Sequence, residues 1–122
     1  MDDRLVTLCG LPMAMLAAGA AGLGTPWYQQ ALVGMEVGPT GAQFGAEGGD
    51  PLYAARFNGS EIVRRCREAG SEYVVVWARD GVYAYYDSAV QPKAPGLRER
   101  DVLREAVREG RRLGMPIIAY CV

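Results

Sequence analysis

The sequence predicts an α/β fold in which strand, helix, strand, helix and strand follow one another, with the three strands parallel. Three observations predict it. Mostly apolar runs recur at "ALVGME" (31–36), "YVVVWA" (73–78) and "MPIIAYCV" (115–122). Two amphipathic segments with both ends marked lie between them. No hairpin-length connection joins one run to the next, so the crossovers are helical, and two βαβ units that share a middle strand build one parallel sheet.

The first run is short and ends at Gly38-Pro39, as a buried strand does. A glycine-rich stretch, 37–50, reads as a loop. It holds neither GxxxxGK[ST] nor a GxGxxG opening a helix, which argues against a Rossmann-like nucleotide domain. The first helix is predicted over 59–69. Asn58 is its N-cap, Glu61 stands where a capping box places its acid, and Gly70 stands where a left-handed residue ends a helix. Ile62, Val63, Cys66 and Ala69 share its inner face. The run 73–78 does not alternate apolar with polar, which predicts a strand covered on both faces. The second helix, 101–113, starts at Asp101, presents Val102, Leu103, Ala106, Val107 and Leu113 inward, carries Arg111 and Arg112 at its carbonyl end and stops at Gly114. Pro116 is tolerated at the start of the third strand. Three strands with two helices leave sheet edges open, so the sequence reads as the front part of a larger α/β fold.

Composition narrows the chemistry. The 122 residues carry 13 basic and 14 acidic groups, a net charge of −1, and half of them are hydrophobic. That is one packed domain with no basic surface for nucleic acid; Arg64, Arg65 and Arg67 read as a solvated helix face. Histidine is absent, which removes His-based triads and most catalytic zinc sites, so no metal or cofactor is expected. The 3 cysteines, Cys9, Cys66 and Cys121, lack CxxC spacing, and Cys66 and Cys121 read as buried free thiols. Residues 1–26 form a separate N-terminal region. Leu5 to Gly24 is apolar and uncharged, with Ala18-Gly19-Ala20 as a cleavage-like pattern, but Asp2 and Asp3 outweigh Arg4. A signal peptide, an extension and a membrane anchor stay open for it. The protein is exported if residues 1–20 are a leader and cytoplasmic otherwise.

"WARDGVYAYY" (77–86) poses the functional question. Asp80-Gly81 between apolar runs is a hairpin turn signal, yet the same residues suit the rim of a binding site. The next residues pass through Pro92, Pro95 and Gly96 before the second helix, which favours a strand followed by a long loop, with a small turn inside it open. Tyr85 and Tyr86 read as loop packing.

"ARFNGSEIVRRCREAGSEYVVVWARDGVYAYYDS" and "PGLRERDVLREAVREGRRLGMPIIAYCV" resemble the opening of a group of glycoside hydrolases, (β/α)8 barrels related to α-L-fucosidases and amylase-like proteins. The likeness spans 27–122. It implies that this region is the N-terminal, truncated part of a (β/α)8 (TIM) barrel that acts on O-glycosidic bonds, with a carbohydrate as partner. Where fucosidases carry paired histidines before the Asp-Gly, this chain has Ala78-Arg79, so fucose itself is not implied. The resemblance places the catalytic carboxylates beyond Val122. In a barrel the strand C-termini carry the site. The candidates for sugar binding are therefore Glu36 from the first strand, Trp77, Arg79, Asp80 and Tyr83 around the second, and Tyr120 from the third. Each has a plainer reading: an ion pair for Glu36, core packing for Trp77, a turn for Asp80. Glu36 and Asp80 on adjacent strands about 4.8 Å apart could approach the roughly 5–5.5 Å of a retaining glycosidase pair, but the resemblance assigns them to binding. The other reading is a non-catalytic carbohydrate-binding or structural remnant of the barrel.

Overall fold

The computed structural model describes residues 24–39 and 50–122. The chain divides between Gln30 and Ala31 into two compact units. Of the first, the described part is a single 3-10 turn, Trp27–Gln29, in which the two rings of Trp27 and Tyr28 meet edge to face. The leader-like stretch and most of the glycine-rich loop lie outside the described residues.

The second unit has the predicted order. Strand β1 (Gly34–Val37), helix α1 (Gly59–Glu68), strand β2 (Tyr73–Arg79), helix α2 (Val102–Leu113) and strand β3 (Ile117–Cys121) follow in turn. The strands form one 3-stranded sheet in the order β1-β2-β3, parallel throughout. Local chemistry places the helix ends where the sequence marks them. The Asn58 side chain accepts the Glu61 amide at 2.9 Å, and Asp101 accepts the Arg104 amide at 2.7 Å. Gly70 and Gly114 take positive φ angles of 87° and 64°, a backbone that only glycine adopts without strain. Glu61 serves a partner other than the Asn58 amide on which a capping box would close. Glu61 turns to Arg65 on the next helical turn, and the free Gly59 amide is taken by Glu105 of α2 at 3.0 Å.

Both helices lie on one face of the sheet. Val63 and Cys66 of α1, Val102 and Ala106 of α2, and Val74 and Val76 of β2 meet in the core, with Met35, Val37 and Ile117 packed against them. The expectation that β2 is covered on both faces is therefore corrected. Its residues alternate: Val74, Val76 and Ala78 are buried, while Tyr73, Val75, Trp77 and Arg79 are half-buried on the opposite face. Apolar character on both sides of a strand shows that both faces avoid polar residues, not that this segment supplies both covers.

Three boundaries also move. β1 starts at Gly34 rather than Ala31, because the amides of Leu32 and Val33 bond the Glu72 carboxylate, at 2.7 and 2.8 Å, instead of a strand. It continues past Glu36 to Val37. β3 starts at Ile117, since the Met115 amide still closes α2 by bonding the Gly110 carbonyl at 2.8 Å. Cys66 is buried as expected, but Cys121 is exposed, on a strand with little packed over it. Among the described residues no helix is long and apolar enough to cross a membrane.

The helices are held together closely at Gly59. A Cβ there would lie 2.1 Å from the Val102 carbonyl oxygen and 2.6 Å from the Ala106 nitrogen, both backbone atoms that cannot step aside. Gly59→Ala is expected to cost about 1–3 kcal/mol in urea unfolding. Gly81→Ala, whose Cβ would meet nothing within 4 Å, should be near neutral. Equal stabilities of the two variants would contradict this packing.

Candidate functional site

The six candidate residues separate into two groups. Glu36, Trp77, Arg79 and Tyr120 lie on the face of the sheet that the helices leave open. Asp80 and Tyr83 belong to the loop that follows β2, and Asp80 is turned into the interior.

On the open face, strand register sets the arrangement. Glu36 is paired with Val75, and Trp77 with Tyr120. Glu36 is exposed, inside β1 rather than at its end, and its Oε1 accepts the Trp77 indole N–H at 2.7 Å. The Trp77 and Tyr120 rings lie 5.6 Å apart, tilted by 52°, and Tyr120 remains 40% exposed. The indole lies directly against Gly38, where a Cβ would come within 2.4 Å of the ring. Glycine is therefore required beneath it for close approach, not for an unusual φ. At the end of β2 an extra residue, Ala78, shifts the register between Trp77 and Arg79, a bulge of the kind that re-aims side chains. Arg79 then spans the C-terminal end of the sheet. Its Nη1 donates to Gln91 Oε1 at 3.2 Å and its Nη2 to the Val122 carbonyl at 2.6 Å.

The Asp80 carboxylate is 1% exposed, so the open loop position expected for it is corrected. Its Oδ1 accepts the amides of Val82 and Tyr83, both at 2.7 Å, and so stands in for the backbone carbonyl that a tight hairpin would use. The Asp80 carbonyl is thereby released to accept from Gln91 Nε2 at 2.8 Å. Oδ2 accepts from the Tyr85 hydroxyl and, at 3.5 Å, from that of Tyr53, and the two phenols are 2.8 Å apart. A small hairpin does exist here, since Arg79 bridges Ala84 antiparallel, and Ala84 then bridges Lys93 in parallel. Burial pushes the Asp80 carboxyl up, but the donors Tyr85, Tyr83, Val82 and Tyr53 outweigh it and hold the group below the ordinary aspartate value. Burial and then the Asp80 contact push the Tyr85 phenol up, so it stays a protonated donor. Tyr83 is half-buried and packs on Tyr53 at 5.6 Å. Asp80 faces inward and Glu36 outward, so the two are not a facing carboxylate pair.

Tyr53, Tyr85 and Gln91 are the residues that the sequence reading passed over as site-builders. Tyr85 is fully buried rather than simple loop filling. Its position five residues after Asp80 is a weak signal; nothing in the sequence ties Gln91 to Arg79. Among the described residues no cluster of His, Cys, Asp and Glu could hold a metal. A cleft of 610 Å³ runs along 50–57 beside Gly38 and Pro39, and none of the open-face residues line it.

This geometry defines an α/β protein with a one-sided parallel sheet and polar and aromatic groups grouped on its open face. Among solved structures it is similar to a glycoside hydrolase family 29 member from an unknown rumen bacterium, with a TM-score of 0.54 and 18% identity. The match covers 78% of this chain and 19% of that one, so the chain spans about a fifth of that enzyme's length. At this identity the likeness is one of fold. No protein-family profile matches the chain, and no curated protein does.

Asp80→Ala would strand two phenols and two amides, and is expected to cost about 3 kcal/mol in urea unfolding. The pH dependence has a definite sign. The folded-state pKa of Asp80 is lowered, so its contribution is complete above the unfolded-state value of about 3.9. It is lost as the pH falls through the lower folded-state value. Stability curves from pH 2 to 6 should therefore fall less steeply on the acid side in Asp80→Asn than in the parent. Parallel curves would remove Asp80 from this role.

Proposed function

We propose that this chain is the N-terminal part of a glycoside-hydrolase (β/α)8 barrel, and that the open face of its sheet binds carbohydrate. The grouping of Glu36, Trp77 and Tyr120 carries the reading. Aromatic faces pack against the apolar C–H surface of a pyranose, and a carboxylate accepts from its hydroxyls with charge assistance. Here the carboxylate is steadied by an indole N–H at 2.7 Å beside a second ring that is 40% exposed. In a barrel this face turns inward, and its C-terminal end, where Trp77, Tyr120 and Arg79 lie, would reach the mouth at which such enzymes bind substrate. The fold likeness to a glycoside hydrolase supports the architecture.

Hydrolysis by the whole protein would need a carboxylate pair, and Glu36 and Asp80 do not form one. The acid and the nucleophile are assigned to other strands of the barrel. This chain's part is to hold and orient the sugar ring.

The test is a fluorescence titration of the Trp27→Phe protein, in which Trp77 is the sole indole reporter, with neutral hexose oligosaccharides. Saturable quenching is expected, and Glu36→Ala should weaken it about tenfold with an unchanged thermal melt. No response to any sugar would overturn the reading. Aryl glycosides should not be turned over by the 122-residue chain; turnover abolished by Glu36→Ala would place the catalysis here instead.

A further inference from the structure

Helix packing concentrates charge that the net value of −1 conceals. In α2, Val102, Ala106 and Gly110 are buried against the rest of the unit. Turned away from them, at positions i, i+4, i+7 and i+8, stand Arg104, Arg108, Arg111 and Arg112, all exposed. The outer ridge of α2 is thus arginine alone, about 12 Å long from Arg104 to Arg112. Arg64 and Arg67 of α1 widen it across the seam between the helices. Arg67 Nη1 donates to the Leu113 carbonyl of α2. Arg112 and, more weakly, Arg64 hold the Glu109 carboxyl below its ordinary value, which puts Arg64 beside α2 as well.

The acids of these helices do not neutralise the ridge. Glu105 serves Arg100 and the Gly59 amide, Glu61 serves Arg65, and Glu109, with a side chain 13% exposed, serves Arg112. Glu68 is exposed at the far end of α1. Arg104 reaches Asp101 and Asp87 only at 3.5 and 3.6 Å. Arg108 and Arg111 make no hydrogen bond or ion pair among the described residues. The carbonyl end of a helix favours cations, which accounts for Arg111 and Arg112 but not for Arg104 in the first turn or Arg108 in the middle. Like charges three and four residues apart repel. An anion laid along the ridge would relieve a repulsion that the fold leaves standing.

The kind of anion follows from what accompanies the charge. Among the described residues no large apolar side chain is exposed on α1 or α2, so this surface has nothing to insert into a lipid layer. Neither helix carries an aromatic ring on which a base could stack. Guanidinium groups pair in plane with carboxylates. We propose that the ridge of Arg104, Arg108, Arg111 and Arg112 docks a linear polyuronate, an acidic polysaccharide whose carboxylates are spaced along one chain. The helices cover the side of the sheet opposite Glu36 and Trp77, so the polymer and a sugar on the open face do not compete. The choice of a sugar polymer rests on the carbohydrate reading, whereas the charge of the surface does not.

The experiment measures binding of short polygalacturonate chains to the 122-residue chain by calorimetry, beside the same polymer fully methyl-esterified. The acidic form should bind, and weaken steeply as ionic strength is raised to about 1 M, where the Debye length is about 3 Å. The ester should not bind. Arg108→Gln combined with Arg111→Gln should lower the affinity at least about tenfold. The thermal melt should stay the same, because neither side chain holds the fold. Trp77 quenching by neutral hexose oligosaccharides, read in the Trp27→Phe background, should also be unchanged by the pair of substitutions. Equal binding of acid and ester, full affinity in the double variant, or tighter binding of a single-stranded polynucleotide or of phosphatidylserine vesicles would overturn the inference. Absence of polyuronate binding with hexose quenching intact would overturn it too and leave carbohydrate binding standing. Binding of neither would remove both.

Discussion

A buried carboxylate must find donors, and the one at Asp80 organises everything at the C-terminal end of the sheet. With 1% of its surface exposed, it has exchanged water for two amides and two phenols. Those donors come from three places in the chain: the turn after β2, the loop residue Tyr85, and Tyr53 in the segment before α1. The carboxylate thus joins stretches that share no strand or helix. Further contacts depend on this arrangement. The Tyr85 ring lies edge-on to Phe57 at 5.3 Å, and the Tyr85 carbonyl accepts the Val102 amide at 2.9 Å, at the start of α2. The loop that leads from the second strand to the second helix is consequently a packed part of the core, with Ala84, Ala94 and Leu97 buried in it.

The same device shapes the open face. Because Oδ1 performs the acceptor role of a turn carbonyl, the Asp80 main-chain oxygen is available to Gln91, and Gln91 reaches Arg79. Interior satisfaction of one anion therefore ends in the aim of an exterior cation. On the other side of the face, Glu36 and Trp77 steady each other across two strands. Helices cover only the opposite side, so these groups stay accessible where a helix-covered strand would have buried them.

Fold likeness and site chemistry carry different weight here. A βαβαβ unit with a TM-score of 0.54 to part of a glycoside hydrolase speaks to architecture, and a fold of this kind hosts many reactions. The proposed function rests instead on the local set of an aromatic pair and a carboxylate on the open face. Ala78-Arg79 stands where fucosidase-like sequences carry histidines. It exchanges neutral, titratable hydrogen-bonding groups for a permanent cation.

The sequence by itself determined the order of elements, the parallel pairing and the helix ends. These depend on short-range physics: apolar runs, Asn58 and Asp101 as caps, Gly70 and Gly114 in left-handed backbone. It also put Glu36, Trp77, Arg79, Asp80, Tyr83 and Tyr120 at one end of the sheet, because parallel strands share a polarity, and of these Glu36, Trp77 and Tyr120 meet on the open face. Only the tertiary structure decided that Asp80 faces inward, since a turn aspartate and a buried one are written alike and the partners Tyr53 and Tyr85 are 27 residues before it and 5 after it. The link from Gln91 to Arg79 was equally illegible, being set by how a loop folds back rather than by any periodicity. The one-sided cover of β2 was hidden for a related reason. Valines on both faces of a strand report that water is unwelcome on each, while which face the helices take is decided by the whole packed assembly.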